Sequence, residues 1–117
     1  MAGNAKYLMI ASMDVDPEHD AIFNEVYDQE HVPNLSKVPG VVGISRYKRG
    51  TLTMNIGGES KTIEIPNEPT CTAIYELESP DVLTSPAWDK AIEDGRWPNQ
   101  VRPHTKNRRH VLLKLMD

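Results

Sequence analysis

A chain of 117 residues has the length of one domain, residues 1–117, and can close a core without staples. Its net charge of −4 weighs against nucleic acid as the main partner, and a lone cysteine, Cys71, excludes an internal disulfide framework or a cysteine-rich metal cluster. With only 38% hydrophobic residues and nine prolines, the core is expected to be small and completed by a partner subunit.

In chain order, "KYLMIASMDV" (6–15) reads as a strand apolar on both faces, and therefore central in its sheet. The apolar run stops at Asp14, too short for a signal sequence or a membrane span, so a cytoplasmic protein with no membrane partner is expected. Asp16 stands where an N-cap belongs, with Pro17 as first helical residue and Glu18 in the first turn. The first helix should run over 17–31, with Ile22, Phe23, Val26, Tyr27 and, one turn on, His31 or Glu30 on its apolar stripe. Pro33 disfavours helical geometry at Val32 and should end the helix near His31, leaving Leu35 and Val38 to pack from an irregular turn.

Pro39-Gly40 marks a turn into the second strand, "VVGISRYKRG" (41–50). An inserted hairpin over 50–69 pivots on Gly57-Gly58. "TCTAIYELE" (70–78) is the third long strand. Ser79 or Asp81 can open the second helical region, whose start Pro86 breaks, leaving a regular helix over 86–94 before Gly95. "NRRHVLLKLM" (107–116) is the last strand.

This order is βαββαβ, an α+β ferredoxin-like sandwich with helices on one face of an antiparallel sheet. A first strand that is apolar on both sides requires cover on the second face too, which a two-fold homodimer packed sheet to sheet would provide. An exposed sheet of the RNA-recognition type would need aromatics with basic neighbours on the first and third strands. The third strand here carries one tyrosine and two glutamates, so that architecture is rejected. Charge is segregated: residues 14–30 hold acids and no Lys or Arg, whereas 96–117 hold bases with Asp117 as the one acid. These read as solvated faces that complement each other within or between subunits.

"FNEVYDQEHVPNLSKVPGVVGISRY" resembles the signature of the dimeric α+β barrel superfamily, closest to its EthD-like branch. The matching positions are Phe23, Tyr27, His31, Val32, Pro33, Val38, Pro39, Gly40, Arg46 and Tyr47. "AIYELESPDVLTSPAW" is similar to the family's third strand and second helix, and the likeness spans most of the chain outside 50–69. It implies a homodimer with a pocket in each subunit between sheet and helices. Relatives include isomerases of aromatic catabolism, polyketide cyclases, cofactor-free oxygenases and haem-handling proteins.

His31 is the leading chemical residue, since an imidazole can give or take a proton near neutrality. Tyr27, one turn earlier, could hydrogen-bond a substrate carbonyl and stabilise a developing oxyanion. Against this, His31 could simply cap the helix C-terminus, where a cation meets the dipole favourably. Phe23 and Trp88 read as core that can also wall a pocket; Trp97 could lid it or pack on the second helix. Arg102 and His104, in "RPHT", could fold over its mouth, and Arg46 could meet an anionic substrate or only acids and water.

No histidine pair stands at metal-ligand spacing, so no metal is expected; haem through His31 or His104 is the one cofactor alternative. Phosphate loops and strained serine elbows are missing from the sequence, and Cys71 reads as buried and inert. The expected function is a small catabolic enzyme acting without cofactor on a small aromatic or apolar carbonyl compound, by acid/base chemistry of isomerase, cyclase or lyase type. The alternative is an EthD-like ligand-binding or accessory protein of an oxygenase pathway.

Overall fold

A computed structural model describes residues 5–116; the remaining ends of the expected 1–117 domain lie outside the described residues. Among the described residues six strands form: β1 (Tyr7–Val15), β2 (Val41–Lys48), β3 (Leu52–Ile56), β4 (Glu59–Ile63), β5 (Cys71–Leu77) and β6 (Thr105–Lys114). Four of them make an antiparallel sheet in the order β2-β5-β1-β6. That is the ferredoxin-like arrangement expected from the sequence, with β1 central. The helices are α1 (Asp20–Val26), α2 (Val32–Ser36) and α3 (Pro86–Ile92).

Strand alternation decides what each face does. Met9, Ala11 and Met13 of β1 and Ala73, Tyr75 and Leu77 of β5 are buried towards the helices. The neighbours that pair in register on the other face, Leu8 with Leu113 and Ile10 with Val111, form an apolar strip. Val111 and Leu113 of that strip remain 49% and 47% exposed. β3 and β4 make a separate two-stranded ribbon. Gly57 and Gly58, at φ of +62° and +83°, supply the two left-handed positions that a tight hairpin turn demands.

Two helical expectations need correction. Asp16 is not a side-chain cap; its backbone carbonyl accepts from His19 N–H at 2.8 Å to open a single 3₁₀ turn over Pro17–His19. Nor does Pro33 stop the helix at His31. The chain passes through a π turn, Tyr27–His31, with Val32 N–H bonded to the Tyr27 carbonyl, and resumes as α2. Widening the turn by one residue accommodates a proline whose ring would clash with the carbonyl four residues back. Leu35 is consequently a helical residue with no exposed surface. Ser79 caps the 3₁₀ turn Pro80–Thr84, as expected, and Ser85 caps α3 by accepting from Trp88 N–H.

Candidate functional site

Phe23, Tyr27 and His31 all point inward from the first helical stretch, and each is 3% exposed or less. A second π turn, Trp97–Val101, faces them. Its Trp97 ring lies flat on His31, centroids 4.2 Å apart and planes 18° from parallel, and meets Tyr27 edge-on at 5.1 Å. Tyr27 and His31 are themselves edge to face at 5.0 Å. Aromatic pairs in these geometries add about 0.5–1.5 kcal/mol each beyond area burial.

What brings the two π turns together is Glu30, next to His31. Its carboxylate accepts from the backbone N–H of Arg96 at 2.9 Å and from the Arg96 guanidinium, which also reaches Glu25 at 2.8 Å. These donors hold the Glu30 carboxyl below its ordinary range. Gly95 makes the approach possible: its φ is +71°, and a Cβ there would sit 2.5 Å from the Glu30 carboxylate.

His31 differs from an ordinary surface imidazole in two respects. Its Nδ1 is buried with no hydrogen-bond partner among the described residues, an omission that typically costs about 1–3 kcal/mol. Burial first, and the Arg102 cation second, hold its pKa down to about 4, with Glu93 opposing. The ring is therefore neutral at neutral pH with its lone pair free, and it is a weaker base than a solvated imidazole. The helix-capping alternative does not hold, because the helix runs on past His31.

Beneath Tyr27 lies Tyr75 of β5, which the sequence reading did not single out. The two hydroxyls share a hydrogen bond of 2.8 Å. Burial raises both phenol pKa values, Tyr75 the more, so both stay protonated. Two hydroxyl protons and one mutual bond leave one proton to donate elsewhere. Period-two alternation along β5 was the signal that could have placed Tyr75 on the inner face. Trp88 meets Tyr75 edge-on at 5.6 Å and belongs to the core under α3.

Ala11 and Ala73 pair in register under Phe23 and Tyr27, and their small side chains leave a cleft of about 10 Å³. That is room for about one water molecule. Arg46 lines this cleft, but its guanidinium bonds Asp28 at 2.6 Å and Asn24 at 2.7 Å and lies 4.5 Å from the Tyr27 ring centroid. Arg102 is bonded to Glu93 and to the Ile92 carbonyl. His104 leaves the aromatic group and stacks on His19, with centroids 3.4 Å apart. Asp16, His19 and His104 thus come together from positions with no ligand spacing in the sequence.

No family model and no curated protein sequence matches the chain. Solved structures do. The crystal structure of an ethyl tert-butyl ether D (EthD) family protein from Bacillus halodurans aligns with a TM-score of 0.55 at 15% identity, covering 94% of this chain and 99% of that one. The heme-degrader MhuD from Mycobacterium tuberculosis, with two hemes bound, aligns at 0.54 and 10% identity, covering 95% and 97%. Among the described residues no helix is long and apolar enough to cross a membrane. The chain therefore has the ferredoxin-like α+β fold of these two proteins, and the resemblance to the EthD-like branch read from Phe23 to Tyr47 is met at the level of the fold.

Proposed function

We propose that this is a small cytoplasmic catabolic enzyme that acts without cofactor on a small aromatic or apolar carbonyl compound. The observation that carries the reading is the unpartnered, buried Nδ1 of His31 inside an aromatic shell. A neutral imidazole there accepts a proton from a carbon acid, a phenol or an enol, and the spare hydroxyl proton of the Tyr27–Tyr75 pair donates to the carbonyl oxygen that gains charge. One such donor is worth about 3 kcal/mol in the transition state. Phe23 and Trp97 pack against the ring of the bound compound, while Arg46 and Arg102 hold the walls. The reaction is an isomerisation, cyclisation or lyase step.

Trp97 lies flat on His31, so a ligand reaches the imidazole by displacing it. The same closed packing favours a second reading, an accessory protein that binds an apolar ligand for an oxygenase pathway without turnover. Haem, which the MhuD structure holds, would need the same displacement of Trp97 before it could reach His31. We also read the apolar strip of Leu8, Ile10, Val111 and Leu113 as the homodimer face.

The test is a thermal-shift and tryptophan-fluorescence screen of phenolic acids, lactones and quinones against wild type and His31→Phe. A ligand at 100 times its dissociation constant adds about 2.7 kcal/mol of stability. Enzymatic function predicts a hit whose turnover vanishes in the variant while binding persists. Binding with no turnover in wild type supports the accessory reading, and no hit in either assay refutes both.

A further inference from the structure

We propose that Asp16, His19 and His104 form a binding site for one late first-row divalent metal ion, of which Zn²⁺ is the simplest probe. The site lies apart from the aromatic group, where β1 and β6 run off their shared ladder. The strands pair as Asp14 with Lys106 and Val15 with Thr105, and Asp16 N–H then bonds the His104 carbonyl at 3.1 Å. His19 N–H bonds the Asp16 carbonyl at 2.8 Å. Backbone hydrogen bonds therefore fix all three ligand-bearing residues to one another before any ion arrives, which is the preorganisation a site needs.

The donor atoms all lie within 4.8 Å of one another. Two Zn–N bonds of about 2.0–2.1 Å at a tetrahedral angle place their nitrogens about 3.4 Å apart. The two imidazoles stack 3.4 Å apart and 8° from parallel. A ligating nitrogen holds its ion in the plane of its own ring, so one of these rings, on side chains 28–36% exposed, must turn out of the stack for both to reach one ion. His19 Nδ1 has no hydrogen-bond partner among the described residues. Asp16 divides its carboxylate: Oδ1 faces Lys106 Nζ at 3.3 Å, and Oδ2 stands 3.9 Å from His104 Nδ1, facing the histidines. Glu18 Oε1 stands 4.0 Å from His19 Nδ1. Two imidazoles and a carboxylate select Zn²⁺, Cu²⁺, Ni²⁺ or Fe²⁺ over Ca²⁺ or Mg²⁺. Three protein ligands leave the other positions to water or a small anion.

Calorimetric titration of Zn²⁺ into untagged, chelator-stripped full-length protein tests the site. The expected result is one ion per chain, with affinity reduced at least about tenfold in His19→Ala and in His104→Ala and abolished in the double variant. Circular dichroism without metal verifies that each variant is folded. Lys106→Ala supplies a readout that disruption cannot mimic: removing one screened positive charge about 5 Å away tightens binding about fourfold. Absence of saturable one-to-one binding in wild type overturns the proposal, as does unchanged binding in the double variant, which would put the ion at His31 or His110. Weakened binding in Lys106→Ala overturns the role of Asp16.

Discussion

Lowering the pH from neutrality should destabilise this protein first through His31. The imidazole titrates at about 4 in the folded chain against 6.5 for the free side chain. The unfolded state therefore binds the extra proton first, and stability is complete above the unfolded value and falls as the pH drops towards the folded one. Those two values give a loss of about 2 kcal/mol between about pH 7.5 and about pH 5, rising to about 3 kcal/mol below about pH 4. His31→Phe keeps a ring on Trp97 and removes the titration. His110, whose pKa is also lowered by burial, contributes equally to both proteins and cancels in the difference. Urea unfolding of the two at several pH values should show wild type losing about 2 kcal/mol relative to the variant across that window. Parallel pH dependence, or an NMR titration placing His31 near 6.5, would mean that the imidazole is solvated and that Trp97 does not cover it.

Other residues can be tested in the same way. Tyr27→Phe and Tyr75→Phe should each cost about 1–3 kcal/mol in urea unfolding, and the double variant should cost less than their sum because both remove the same 2.8 Å bond. Gly95→Ala should cost about 1 kcal/mol for its left-handed backbone alone and, by pushing Glu30 aside, should raise the NMR-measured pKa of His31 towards 6.5. Arg102→Gln removes the cation that disfavours imidazolium, so the His31 pKa should also rise, with little change in tryptophan fluorescence. Val111→Lys puts a charge on the half-exposed apolar strip, and sedimentation should give a dimer for wild type and a monomer for the variant.

The strand order and the hairpin could be read from the sequence because both are carried by local signals. Alternation marks β1 and β5, and adjacent glycines mark the turn between β3 and β4. The row of Phe23, Tyr27 and His31 was equally legible, since a spacing of four survives whatever the helix does next. The continuation beyond Pro33 was not, because a π turn leaves no compositional mark. Tyr75 joins Tyr27, and Trp97 joins His31, only through pairings between distant segments. The same holds for Asp16, His19 and His104, whose meeting depends on the register of β1 against β6.

The two π turns have a consequence for how this chain tolerates insertions and deletions. A π turn is an α-helix that has absorbed one residue, so deleting a single residue from 27–31 would leave continuous α-helical hydrogen bonding. Because the widened turn had absorbed that residue, the helix on either side would keep its phase. Leu35 would still face the core, and only the side chains of the widened turn itself, His31 among them, would change direction. Changes of chain length in this segment, more than point substitutions, are what separate a folded relative that keeps the stacked imidazole from one that keeps only the fold.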